Sequence, residues 1–301
     1  MKALIIGANG TIGRALVHAL LQRGDLVYGT TRRPPLATEN CLFLDLAVPD
    51  INSVALPHAD IAFFCAGIAT FAECRTNRTL ARQVNVTSRV ALARRLVTAG
   101  TRVVLLSTSA VFDGRMPHVP ATCRPCPVTA YGELAAETEK LFGALGSIAS
   151  VVRFTKVITP NTKLFINWID ELSHGKRTTA FSDLRMAPIS LDVAIAALLT
   201  IADDPTGGIY QVSGDADISY YDAARYFASR LGVDSSLVIE KRAIDAGIPL
   251  EEIPRFSSLD TKRYTEMTGR LAPGSHAVID SVFSNEFGLR SCHQQSSQPR
   301  N

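Results

Sequence analysis

Short runs of consecutive apolar residues alternate, along the first half of the chain, with longer stretches whose apolar positions recur every three or four residues. Lys2–Ile6 is the first run, and Ile12, Leu16, Ala19 and Leu20 then share one face of a helix over Gly10–Gln22. Runs at Leu26–Thr30, Ile61–Cys65, Arg102–Ser107 and Val151–Phe154 predict further strands, and the periodicity predicts helices over Arg82–Ala99 and Glu133–Leu145. Strands alternating with helices of this length specify an α/β protein with a doubly wound parallel sheet. Past about residue 157 the rhythm changes. Leu164–His174, Ser190–Ala202 and Tyr220–Leu231 read as helices and Tyr210–Val212 as a short strand. The expected division is a first domain over 1–155 and a smaller α/β region over 156–289 that can return elements to the first. A polar, aperiodic and disordered tail is expected over 290–301.

Composition narrows the class. The chain has 301 residues, 47% apolar and 20% charged, which is enough to bury a sizeable core and excludes a disordered chain or a disulfide-stapled miniprotein. A net charge of +3 gives no case for nucleic acid or a membrane surface as the main partner. No apolar run approaches the ~20 residues of a membrane span. Six cysteines in a chain without an export signal are expected to be reduced thiols, and the expected location is the cytoplasm.

Candidate chemistry starts at the first strand-to-helix turn, Gly7-Ala8-Asn9-Gly10-Thr11-Ile12-Gly13. Glycines at this spacing let the backbone turn tightly, approach a pyrophosphate, and present it to a helix N-terminus. The first domain is therefore read as a Rossmann-type dinucleotide-binding domain. At the end of the second strand, where an acidic residue would hold an adenosine ribose, stands Thr30-Thr31-Arg32-Arg33. Hydroxyls and two guanidiniums suit a 2′-phosphate, which favours NADP(H) and leaves NAD(H) possible. Asp45 and Leu46 are candidates for an adenine pocket, and Cys65, Ala66 and Gly67 supply small residues along the cofactor's path. At the fourth strand's end Ser107-Thr108-Ser109 offers three hydroxyls, and Tyr131-Gly132 opens a later helix.

Together these features resemble the extended short-chain dehydrogenase/reductase superfamily. Phe181–Ile189, Gly208–Gly214 and Pro254–Asp260 are similar to segments of its dTDP-4-dehydrorhamnose reductase-like family. The resemblance implies reduction of a 4-keto nucleotide-sugar in carbohydrate biosynthesis, with Thr108 holding the keto oxygen and Tyr131 giving a proton. It also implies a lysine one helical turn after the tyrosine, where this chain has Ala135. Lys140 falls on the opposite helical face. Lys156, at the end of the fifth strand, is the candidate replacement. It is equally readable as a contact to a substrate phosphate or carboxylate, or as a surface lysine. Two other outcomes stay open: a nucleotide-sugar epimerase, or a catalytically degenerate binding protein with a regulatory role. A homodimer is the assembly implied by the resemblance. Cys123-Arg124-Pro125-Cys126 lacks a second pair, the histidines show no ligand spacing, and no metal is expected.

Overall fold

The computed structural model describes residues 1–288, so the expected disordered tail lies outside the described residues. Six strands come first in chain order: β1 (Lys2–Ile6), β2 (Leu26–Thr31), β3 (Cys41–Phe43), β4 (Ile61–Phe64), β5 (Arg102–Thr108) and β6 (Ala149–Phe154). With Gly208–Val212 they make one seven-stranded sheet in the order Gly208–Val212, β6, β5, β4, β1, β2, β3. Every pairing in it is parallel. The doubly wound α/β class expected from the sequence is what the chain adopts.

The strands read as unbroken apolar runs because both faces of the sheet are covered. Leu4 and Ile6 of β1 face one core with Phe64, Val103 and Leu105. Ala3 and Ile5, one residue out of phase, face the other with Phe63, Val104 and Val152. Five helices follow the early strands: α1 (Thr11–Gln22), α2 (Phe71–Thr76), α3 (Arg78–Arg82), α4 (Arg89–Thr98) and α5 (Ala130–Gly143). Between α3 and α4 the coil widens into a π-helical turn over Gln83–Ser88. The sequence predicts one regular helix here, and it does not predict β3, a three-residue edge strand with no fully buried position.

The region after residue 155 serves two bodies. Gly208–Val212 forms an edge of the large sheet, and α7 (Leu191–Asp203), which follows α6 (Lys163–Ser173), adds Ala194, Ala197 and Leu198 to the core beneath α1. The remainder packs a separate aromatic core of Phe165, Trp168, Phe227 and Phe283, with α8 (Tyr220–Leu231) across a parallel pair formed by Thr178–Phe181 and Val238–Lys241. Capping sets the limits of α8. The Ser219 hydroxyl accepts the Asp222 N–H at 2.9 Å, and Gly232 ends the helix in the left-handed conformation with φ +70°.

One polar group crosses the core. Arg153 on β6 is 1% exposed and pairs with the 4%-exposed Glu139 of α5, its Nη2 lying 2.7 Å from Oε2. A second guanidinium nitrogen donates to Gln211 Oε1 at 3.1 Å, and the group lies 5.0 Å from the centre of the Phe112 ring. Ser107 completes the shell by donating to Glu139 Oε1 at 2.5 Å. Removing one partner strands the other charge in a dry site. Glu139→Gln is therefore expected to destabilise the fold by about 3–5 kcal/mol in urea denaturation, and an unchanged midpoint would refute this account.

Candidate active site

The glycine turn sits at the switch point of the sheet, where β1 lies between β4 and β2 and the connections diverge to either side. Gly7 has φ +94°, and a side chain there would run into Ala66; a Cβ on Gly13 would strike the Gly7 carbonyl. These two contacts hold α1 against the ends of β1 and β4. Above Gly10 the space is open, with only the Gly7 oxygen, at 3.5 Å, near a Cβ built there. No side chain caps α1 and no acid stands in its first turn, so its leading N–H groups face outward for an anion. The loop is tied from β2: Thr30 Oγ1 accepts the Gly7 N–H at 3.0 Å and its carbonyl accepts the Ala8 N–H at 3.0 Å.

A cleft of about 480 Å³ opens over this turn. It brings together Gly7, Asn9, Gly10, Thr31, Arg32, Arg33, Asp45, Leu46, Cys65, Ala66 and Gly67, which are most of the positions singled out for the cofactor. Arg32 and Arg33 are exposed, and the buried Thr31 shapes their turn by accepting the Arg33 N–H at 3.1 Å. Asp45 spends one carboxylate oxygen on the Ala47 N–H at 2.9 Å. Thr11 and Gly13 lie outside the lining: Thr11 begins α1 on the surface, and Gly13 is buried beneath the turn.

An inner pocket of about 210 Å³ shares Cys65, Gly67, Ile68 and Ala69 with the cleft and continues it toward β5. Ile12, Thr108, Tyr131 and Ala135 line it. Thr129 caps α5 by accepting the Gly132 N–H at 3.0 Å, which sets Tyr131 in the first turn. The phenol shares this pocket with Thr108, and the Phe71 ring stands edge-on to it with centres 5.6 Å apart. Burial pushes the Tyr131 pKa above its ordinary value, against the opposing pull of Arg89 and of the Thr108 hydroxyl. Of the three neighbouring hydroxyls, those of Ser107 and Thr108 belong to residues lining the pocket, and Ser107 is taken by Glu139.

The lysines divide. Thr155 and Val157 line the inner pocket, whereas Lys156 between them does not and is exposed, although desolvation by the surrounding protein lowers its pKa. Lys140 lines a different cavity on the far side of α5, with Cys123. Cys123 and Cys126 are exposed and free, and no metal-binding cluster occurs among the described residues. The sequence reading passes over Arg89, whose side chain enters the inner pocket at the start of α4.

A parallel doubly wound sheet, a glycine turn at its switch point, and a Thr–Tyr pair beside the resulting cleft define the extended short-chain dehydrogenase/reductase superfamily. Within it, a family model described as the RmlD substrate binding domain matches residues 1–283, and the chain belongs to that family. A dTDP-4-dehydrorhamnose reductase of Mycobacterium tuberculosis is 28% identical over 247 residues, covering 79% of this chain and 78% of its own. A probable low-salt glycan biosynthesis reductase of Haloferax volcanii is 23% identical over 299 residues, covering 95% and 99%. In structure, a dTDP-4-dehydrorhamnose reductase of Bacillus anthracis in complex with NADP superposes with a TM-score of 0.78 at 19% identity, covering 94% of this chain and 99% of its own. No described helix is long and apolar enough to cross a membrane.

Because a methyl at Gly13 meets the Gly7 carbonyl, Gly13→Ala is expected to cost about 1–3 kcal/mol by denaturant unfolding. A variant as stable as the parent would mean that the turn yields freely.

Proposed function

We propose that this chain is an NADP(H)-dependent reductase of a 4-keto nucleotide-sugar. The observation that carries the reading is the Thr108–Tyr131 pair in a pocket continuous with the cleft over the glycine turn. The cleft fits a dinucleotide on its own chemistry: an open cradle over Gly10, uncapped N–H groups at the head of α1, and two exposed guanidiniums at the end of β2. Arg32 and Arg33 are the groups suited to a 2′-phosphate, and Asn9, Asp45 and Leu46 border the same space. The family's relatives named as dTDP-4-dehydrorhamnose reductases support the substrate class.

A reduced nicotinamide dinucleotide, when bound, supplies hydride. The chain's own groups handle the oxygen. Thr108 uses its oxygen as acceptor for the Ala110 N–H at 3.1 Å, which leaves its hydroxyl proton for the substrate carbonyl. Tyr131 donates its proton to that same oxygen as the carbonyl becomes an alcohol, and solvent later reprotonates the phenolate. The apolar wall of Ile12, Leu106 and Phe154 excludes water from the reacting carbon.

A non-catalytic binding role is the second reading, favoured by Ala135 in the pocket wall and by similarity to a methionine adenosyltransferase 2 subunit beta of Xenopus laevis. Turnover separates the two. Purified protein is expected to oxidise NADPH with a 4-keto nucleotide-sugar, and Tyr131→Phe to lower kcat about 10²–10⁴-fold. NADPH binding without consumption against a panel of keto nucleotide-sugars would overturn the reductase reading.

The pH dependence has a definite sign. Reduction needs the protonated phenol, and burial raises its pKa, so kcat is expected to hold through neutrality and to fall only as pH rises past the ordinary tyrosine value of 10.0. A fall in rate beginning near pH 7 would assign the proton to another group. Arg32→Ala/Arg33→Ala is expected to weaken NADPH binding at least tenfold and NADH binding little, as measured by fluorescence titration. Equal losses for both would remove the preference for NADP(H).

A further inference from the structure

The inner pocket contains a cation that the mechanism above does not use. Arg89 reaches it from the first residue of α4, directly after the π turn. Its Nε donates to the Ala66 carbonyl at 2.7 Å, and Nη2 donates to the same oxygen. Gly67 leaves the space this requires, because a Cβ there would overlap the guanidinium. No carboxylate pairs with Arg89 among the described residues. Tyr131 from α5 and Cys65 just past β4 line the same pocket, and with Cys74 of α2 they are the ionisable groups whose charge bears on it. Burial raises the pKa of Cys65 to about 12 and also raises that of Cys74, so both thiols stay neutral and the phenol is the one group there that can answer the charge.

The choice of side chain follows from the surroundings. Desolvation lowers the pKa of Arg89, yet a guanidinium starts high enough to stay charged, whereas a lysine placed there without a carboxylate would tend to lose its proton. The planar fork also lets two N–H groups grip one carbonyl, which fixes the charge in place.

We propose that Arg89 is the electrostatic partner of Tyr131, a positioning residue that supplies from α4 the positive charge absent at position 135 of α5. As the Tyr131 O–H bond breaks, its proton passes to the substrate's carbonyl oxygen while the carbonyl carbon accepts hydride. The phenolate left behind is the charge the guanidinium offsets until solvent returns the proton. The assignment rests on the reductase reading for its catalytic consequence, but not for its electrostatic one.

The test separates the two. Arg89→Gln keeps a donor for the Ala66 carbonyl and removes the charge. In unliganded protein carrying ¹³Cζ-tyrosine, the Tyr131 signal, identified by its loss in Tyr131→Phe, is followed by NMR through alkaline pH. Arg89→Gln is expected to move that titration upward by about 1–3 pH units, the effect of one opposite charge at close range. Adding Ala135→Lys to Arg89→Gln is expected to bring it back. In turnover, Arg89→Gln should lower kcat at least tenfold and shift the pH profile in the same sense, with the KM for the nucleotide-sugar little changed. An unmoved Tyr131 titration in Arg89→Gln overturns the proposal. So does loss of turnover in Lys156→Ala with Arg89→Gln fully active, which would make Lys156 the cation. If the parent protein reduces no keto nucleotide-sugar, the reductase reading fails alone, and the titration still decides the pairing of Arg89 with Tyr131.

Discussion

The buried pair of Arg153 and Glu139 is the constraint on which the geometry of this molecule turns. A desolvated ion pair contributes little net stability compared with apolar residues of the same volume, but it tolerates few arrangements, because each stranded lone pair or proton is costly. Here the arrangement joins β6 to α5 directly and β5 through Ser107. Gln211 extends it to the edge strand Gly208–Val212, and from there to the Val119 carbonyl at 2.8 Å and the Asp260 carbonyl at 2.9 Å. Helix α5 is thus fixed at two points: at its first turn by the Thr129 cap and about two turns later by Glu139. A helix held at two points cannot rotate, so the phenol it carries keeps its place against Thr108 on β5. The position of Tyr131 in the inner pocket thus depends on a buried ion pair farther along the same helix.

The same network explains why the chain does not divide cleanly at residue 155. Nucleotide cleft and inner pocket are built almost wholly from the first half, yet the sheet edge and the helix beneath α1 come from the second. The Phe256 N–H donates to the Gly114 carbonyl at 2.9 Å, and the Asp260 N–H to Val119 at 3.2 Å, so the C-terminal region is stitched to the loop between β5 and α5. The aromatic core around Trp168 is the part that stands apart from the sheet.

Most of the fold was readable from residues because the physics behind it is local. A strand buried on both faces must be apolar throughout, and a backbone that approaches a neighbour at contact distance must be glycine, so β1, the turn and α1 declare themselves. Strand β3 did not, since a three-residue edge strand has neither alternation nor a buried run. Lys156 was a reasonable candidate on position alone. Phe154, Thr155 and Val157 around it line the pocket, whereas its own side chain is exposed outside the lining. Ala135 was legible as a gap in a pattern; what fills the gap was not. Arg89 lies 42 residues before Tyr131 in the chain, and the residues around it read as an ordinary helix.

Its direction comes from the π turn over Gln83–Ser88. A helix that holds one residue more than its regular pitch advances every later side chain by roughly 100° around the axis. Which group looks at the phenol is therefore a question of helical phase rather than of residue identity. A descendant of this chain that lost a single residue between Gln83 and Ser88 would retain its glycine turn, its threonine, its tyrosine and its arginine, and would pass any inspection of its motifs. Its pocket would nonetheless hold no cation. At this site an insertion or deletion of one residue is a chemical change.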